Sequence, residues 1–199
     1  MPGLVNETDP IALFLDARAR AVAAGSPFDG TAAVLATASL DAAPSVRWVL
    51  VKEVGPEGFH VYTSYGSRKA AELEQNPRAA LAMHWPEIGE QYRVEGPVER
   101  ASAERSDAYF ASRPRESQIG AWASPQSQPI ASRDDLLARV RELEARFEGS
   151  PVPRPPEWGG FVLRPLRIER WVNGAARLHD RWVFERQGDG PWKVSRLAP

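Results

Sequence analysis

Residues 31–64 read TAAVLATASLDAAPSVRWVLVKEVGPEGFHVYTS. Three short apolar runs lie within them: TAAVLATASL at 31–40, SVRWVLVKEV at 45–54 and GFHVYTS at 58–64. Each is rich in Val, Thr or aromatic residues, and the breaks between them carry Asp41, Pro44, Gly55 and Pro56. Runs of this length with such punctuation predict antiparallel strands joined by turns. The pattern continues downstream with RAALAMHW at 78–85 and EQYRVEGPVER at 90–100. It resumes near the C-terminus with WGGFVLRPL, RIERWV, DRWVFER and WKVSRL, all after residue 157.

Helical signals interrupt the strands. Asp9 and Pro10 suit the cap and first position of a helix over IALFLDARARAVAA, which Gly25 stops. SRKAAELEQN ends at Asn76 and Pro77, SAERSDAYFAS follows the fifth strand, and Ser132 with Asp135 caps RDDLLARVRELEARFE, which ends at Gly149. The Pro-rich stretch 149–157 reads as a connector within one domain spanning 1–199, because the roughly fifty residues after it are few for an independent β domain. Residues 1–9 read as a flexible tail. The expected fold is α+β, with mostly antiparallel strands forming a barrel and helices flanking it.

Composition narrows the function classes. Of 199 residues, 43% are hydrophobic and 26% charged, so a large core can form without covalent staples. The net charge of −1 leaves little electrostatic footprint for nucleic acid, although Arg and aromatic residues interleave in SVRWVL and RIERWV. The absence of cysteine removes disulfides, thiolate metal sites and thiol nucleophiles. His60, His84 and His179 lack metal-ligand spacing, so no metal is expected. There is no signal-peptide pattern and no apolar run long enough for a membrane span, which favours a cytoplasmic protein with no membrane partner.

Several polar clusters remain. In RLHDRW, strand alternation would set Arg177, His179 and Arg181 on one face, a row suited to a planar anionic ligand or else a solvated outer face. In GSRKAAELEQN, Ser67 is a candidate N-cap and puts Arg68 and Lys69 in the first helical turn. Cations there oppose the helix dipole unless an anion such as phosphate binds at the same end. Arg47 and Lys52 bracket an apolar strand and fall on opposite faces. Gln91, Arg93 and Glu95 share a face, with Arg93 and Glu95 expected to pair and Gln91 left as an amide contact. The stretch YFASRPRESQIGAWASPQSQPI, 109–130, follows no helical or strand period, and a loop this long inside a compact domain is either functional or disordered. No GxGxxG, GxxxxGK or GxSxG motif is present, so any redox work would come from a cofactor.

RWVLVK, YTSYGSRKAAELEQNPRAAL, YFASRPRESQIGAWASPQSQ, WGGF and RLHDRW, followed by a closing RLAP, resemble in order and spacing the pyridoxamine 5′-phosphate oxidase family. The resemblance covers roughly residues 30–199. It implies an FMN-binding split β-barrel forming a homodimer with active sites at the interface. The implied reaction oxidises pyridoxamine or pyridoxine 5′-phosphate to pyridoxal 5′-phosphate, by hydride transfer from substrate C4′ to flavin N5, with O₂ consumed and H₂O₂ released.

Carried over by motif, the FMN contacts would be Arg47, Trp48, Val49, Leu50, Val51, Lys52, Tyr62, Thr63, Arg68, Lys69, Gln91, Gln126, Ser127, Trp171 and Arg181. Lys52, Tyr109, Arg113 and Ser117 would hold the substrate phosphate. Arg177 and His179 would be the catalytic pair that orients the pyridine ring. Longer members carry a basic segment before the first helix, whereas no Lys or Arg precedes Pro10 here. Two rival readings stand beside this one: a same-fold flavin oxidase of the phenazine-biosynthesis type, and a non-enzymatic module binding flavin or pyridoxal phosphate.

Overall fold

The computed structural model describes residues 9–199, which contain nine strands and five α-helices. The tail expected over 1–9 lies outside the described residues apart from Asp9. That residue caps α1 (Pro10–Ala23), its carboxylate accepting the Ile11 N–H at 2.9 Å. Leu13, Phe14, Ala17 and Ala21 fall on one side of α1 and are buried. Phe14 reaches rings on three strands, with centroids 5.0 Å from Phe59 and 5.3 Å from both Trp85 and Tyr92. The Tyr92 hydroxyl, out of water, donates to the Leu13 carbonyl at 3.0 Å. This pins the helix to the barrel core.

The opening segment forms β1 (Ala32–Ala38), β2 (Pro44–Gly55) and β3 (Gly58–Ser64), a meander in the expected register of turns. After α2 (Arg68–Gln75) come β4 (Arg78–Trp85) and β5 (Glu90–Arg100). α3 (Ala103–Ser112), α4 (Arg115–Ala123) and α5 (Arg133–Arg146) follow, and then β6 (Trp158–Leu163). The ring β1–β2–β3–β6–β5–β4 closes on itself through antiparallel pairs, which leaves no free edge within it.

β5 is long enough to serve two sheets. Glu90–Glu95 pair with β7 on one side and β4 on the other, while Val98–Arg100 pair with β6. β7 (Arg167–Val172), β8 (Asp180–Glu185) and β9 (Lys193–Leu197) then extend outward from β5. The strands beyond the Pro-rich connector thus complete the earlier sheet.

α3 runs through Tyr109, as the helical signal in SAERSDAYFAS expects, but residues 109–130 depart from the loop reading because α4 occupies Arg115–Ala123. Pro114 stands at the N-cap of α4 and holds Arg113 extended, at φ −75° and ψ 149°. Ile119 and Ala123 are buried, and the Gln118 amide donates to the Phe110 carbonyl at 3.0 Å. Nine residues containing Ser, Gln and Gly are too few to display a helical period, so packing decides the conformation. Phe110, Ile119, Phe147, Val152 and Trp158 form a second small core under these helices.

Candidate active site

Tyr62 and Thr63 are neighbours on β3, so their side chains leave opposite faces of the strand. Each anchors a separate polar cluster.

On the Thr63 side lies the start of α2. Ser67 is the N-cap by backbone geometry, but its fully buried hydroxyl makes no hydrogen bond. Lys69, in the first turn, donates to Thr63 Oγ1 at 3.0 Å and to Gln126 Oε1 at 3.1 Å, and Thr63 itself donates to Gln126 at 2.7 Å. No acid pairs with Lys69 among the described residues. Burial, reinforced by the nearby Arg47 charge, pulls its ammonium down to about 8. An orphaned hydroxyl, a destabilised cation and a helix N-terminus together fit an anionic group such as the FMN phosphate.

Arg47 and Arg68 join this cluster through Glu72. Arg47 donates to Glu72 at 3.1 Å, to Ser45 at 2.5 Å, to Thr37 at 2.6 Å and to the Leu35 carbonyl at 3.1 Å. Arg68 Nε donates to the other Glu72 oxygen at 2.8 Å. Along β2, Arg47 and Val51 face inward while Val46 and Trp48 stand 67% and 73% exposed, with Leu50 exposed beyond them. Val49 is half-buried, and Lys52 occupies the irregularity between Val51 and Glu53, half-buried and with no ion pair among the described residues.

On the Tyr62 side is an aromatic stack. Tyr62 lies on Tyr109 with centroids 3.9 Å apart, and both run nearly parallel to Trp158. The Tyr62 hydroxyl donates to Glu53 at 2.7 Å, and Glu53 also receives Arg105 at 2.5 Å. Burial and the Glu53 contact hold the Tyr62 phenol well above its ordinary value, so it stays neutral. Arg113 places its guanidinium 4.7 Å over the Trp158 ring. One buried nitrogen of Arg113 has no partner, and burial lowers its pKa. Ser117 is half-buried in the first turn of α4.

The remaining residues sit on the sheet extension. Gln91, Trp171 and Arg181 are directly opposite one another across β5, β7 and β8. Arg181 donates to Glu169 at 2.8 Å and to the Ala198 carbonyl at 2.8 Å. Arg93 also pairs with Glu169, and Glu95 pairs with Arg167 at 2.9 Å. The expected Arg93–Glu95 pair is therefore replaced by pairs across β5 and β7, because Arg93 opposes Glu169 and Glu95 opposes Arg167.

The expected single face for Arg177, His179 and Arg181 is also corrected. β8 begins only at Asp180, and a short 3₁₀ turn at Ala175–Arg177 puts Ala176 and Arg177 at positive φ, 53° and 64°. Arg177 is exposed on this turn. His179 packs its ring 4.5 Å from Trp171 and accepts the Gly174 N–H on Nδ1 at 3.2 Å.

Among the described residues, no hydrogen bond, ion pair or ring contact joins this extension cluster to the two clusters around β3. Ser127 follows Gln126 on an exposed turn at φ 68°. Sequence reasoning missed Glu72, Glu53, Glu169 and Trp158. The three acids lie within otherwise ordinary amphipathic elements. Only the excess of arginines around them hinted that buried counter-charges were needed.

Residues 26–147 match the family model described as pyridoxamine 5′-phosphate oxidase. Residues 158–199 match the pyridoxine 5′-phosphate oxidase C-terminal dimerisation region. A pyridoxine/pyridoxamine 5′-phosphate oxidase from Anaeromyxobacter dehalogenans is 58% identical over 191 residues, covering 96% of each chain. Another of that name, from Rubrobacter xylanophilus, is 53% identical over 193 residues, covering 97% of this chain and 88% of its own. Among solved structures, PhzG from Burkholderia lata 383, in complex with tetrahydrophenazine-1-carboxylic acid, superposes with a TM-score of 0.91 at 31% identity. That superposition covers 98% of this chain and 95% of PhzG. An FMN-binding protein from Nostoc punctiforme shares the fold, with a TM-score of 0.77 at 17% identity over 97% of this chain and 100% of its own. With its closed six-stranded barrel, its sheet extension and both family regions in order, the chain belongs to the pyridoxamine 5′-phosphate oxidase family.

Proposed function

We propose that the protein is an FMN-dependent oxidase converting pyridoxamine or pyridoxine 5′-phosphate to pyridoxal 5′-phosphate. The observation that carries this reading is the pair of unsatisfied cationic clusters on adjacent β3 residues. One centres on Lys69 and Ser67, the other on Arg113. Two phosphorylated partners, a cofactor and a substrate, account for both. Relatives 58% and 53% identical bear the same activity in their names.

Lys69, Arg68, Arg47, Thr63, Gln126 and Ser127 would hold the FMN phosphate end. Backbone and side chains from Trp48 to Lys52, with Tyr62, Gln91, Trp171 and Arg181, would complete the flavin set. When bound, FMN would supply the two-electron chemistry that couples oxidation of the substrate to reduction of O₂ to H₂O₂. Lys52, Tyr109, Arg113 and Ser117 grip the substrate phosphate. Arg177 and His179 orient the pyridine ring, and His179, braced by Trp171, hydrogen-bonds its hydroxyl. These residues raise the rate by fixing the reacting carbon in one pose. An alcohol gives the aldehyde directly, and an amine gives an imine that water hydrolyses to aldehyde and ammonia.

Within one chain, no hydrogen bond, ion pair or ring contact among the described residues joins the β3 clusters to the cluster on the sheet extension. Its residues lie in or beside the region that matches a dimerisation region. The active site is therefore assembled between two copies of a homodimer, with the exposed Val46, Trp48 and Leu50 stripe beside it. The whole chain acts as one flavin-binding unit, the 149–157 connector lying inside it. Cytoplasmic residence is part of the same proposal. No helix among the described residues is long and apolar enough to cross a membrane.

A tricyclic carboxylic acid substrate is the competing reading, favoured by the PhzG superposition. Tyr109, Arg113 and Ser117 together favour a phosphate ester instead. The assignment of roles is tested by Arg177→Ala and His179→Ala, which should lower turnover while FMN stays bound. Loss of the flavin absorption in either variant contradicts it.

A further inference from the structure

Glu72 is the side chain whose burial the oxidase reading leaves unexplained. It stands on the second turn of α2, 8% exposed, yet burial does not keep it neutral. Against burial, hydrogen bonds from Ser45, Thr37, Arg68 and Arg47 hold its carboxyl down at about 2. Those donors come from three elements: Thr37 on β1, Ser45 and Arg47 on β2, and Arg68 on α2. One oxygen takes the Thr37 and Ser45 hydroxyls and Arg47, and the other takes Arg68. A surface ion pair would need none of this. A buried charge held by four donors from three elements instead fixes the groups that hold it.

The groups it fixes are both cations of the flavin-phosphate cluster other than Lys69. Arg47, Arg68 and Lys69 with Glu72 leave a net charge of +2. A phosphate monoester carries about −1.5 to −2 at pH 7. The carboxylate therefore matches the cluster to its ligand while holding two long side chains in place before the ligand arrives, which lowers the ordering cost of binding.

We propose that Glu72 is a positioning residue for the FMN phosphate, acting through Arg47 and Arg68 rather than by touching the cofactor. This rests on the FMN reading above. It makes a prediction opposite in sign to simple electrostatics, in which removing a negative charge beside a phosphate would tighten binding.

The test is titration of the purified full-length protein, stripped of flavin, with FMN and separately with riboflavin, followed by quenching of flavin fluorescence. Riboflavin lacks the phosphate and so reports on the rest of the site. In Glu72→Gln, FMN should bind roughly 10- to 100-fold more weakly, the loss of one or two charge-assisted contacts. Riboflavin should bind within about twofold of wild type. Ser45→Ala keeps the carboxylate but removes a ligand of both Glu72 and Arg47, and it should give a smaller loss confined to FMN.

Equal weakening of both flavins marks a merely structural residue, and unchanged or tighter FMN binding marks a charge that opposes the ligand. Either overturns the proposal. If Glu72→Gln does not fold, Ser45→Ala decides by the same ratio. A wild-type protein that binds no FMN overturns the cofactor reading and this inference together. A wild type that binds FMN with variants showing no selective loss overturns this inference alone.

Discussion

Tyr62 and Tyr109 lie face to face, their ring centroids 3.9 Å apart and their planes 22° from parallel. One comes from the barrel strand β3 and the other from helix α3, so the stack fixes the helical layer to the barrel. Trp158 extends the same parallel arrangement and carries Arg113 above its ring. The candidate substrate-phosphate cation is thus set by packing before any anion is present.

Arg113→Ala should raise KM for either B6 phosphate by one to two decades, since a charge-assisted contact is worth about 1.5–3 kcal/mol. The effect on kcat should be small and FMN content should not change. Steady-state kinetics with the flavin absorption recorded on the same sample checks this. A fall confined to kcat would place Arg113 elsewhere.

Gly160 makes the stack possible. A Cβ there would come within 2.8 Å of the Tyr62 ring and 2.9 Å of Ala101 Cβ. Gly160→Ala should cost about 1–3 kcal/mol of stability through overpacking. It should also raise KM for the phosphate ester as Tyr62 and Tyr109 shift. Denaturant unfolding and kinetics on the same variant give both readouts.

Lys69 predicts a pH dependence for FMN binding. Its ammonium is pulled down to about 8 in the free protein, and a bound phosphate favours the charged form. The complex then holds a proton that the free protein has lost, so affinity falls as pH rises through about 8 and is steady just below it. Lys69→Met should bind FMN more weakly and show no such fall. Fluorescence titration between pH 7 and roughly 9.5 tests this, and a fall that persists in the variant refutes it.

The exposed β2 stripe, proposed to lie beside the dimer interface, predicts the effect of charge there. Val46→Glu should shift the homodimer toward monomer and lower FMN affinity in parallel, because the proposed flavin contacts come from both copies. Light scattering across a dilution series reads the first and flavin titration the second. Monomers that bind FMN as tightly as wild type would refute a shared site.

Much of this was legible in the sequence, and each failure has a physical cause. The strands from Ala32 to Ser64 announced themselves because turn residues bound each apolar run, and the helix-start argument at Ser67 located the Lys69 cluster. Helix α4 was missed because its nine residues owe their conformation to Pro114 and to burial of Ile119. The row through Arg177 and His179 was read as strand, whereas the backbone turns at positive φ before β8 starts. Glu72, Glu53 and Glu169 were invisible for a different reason. A structural acid is recognisable only from its partners, and those partners are brought together by the barrel's closure rather than by spacing along the chain.

Oxidation of a B6 phosphate on a flavin is read out by one aerobic assay. The purified FMN-loaded protein is given pyridoxine 5′-phosphate, and pyridoxal 5′-phosphate and H₂O₂ are measured together. Unphosphorylated pyridoxine and tetrahydrophenazine-1-carboxylic acid serve as competing substrates. Aldehyde and peroxide should appear in equal amounts from the phosphate ester, with far slower turnover of the other two. Faster turnover of the tricyclic acid, or no turnover of either B6 phosphate by flavin-loaded protein, would contradict the proposed function.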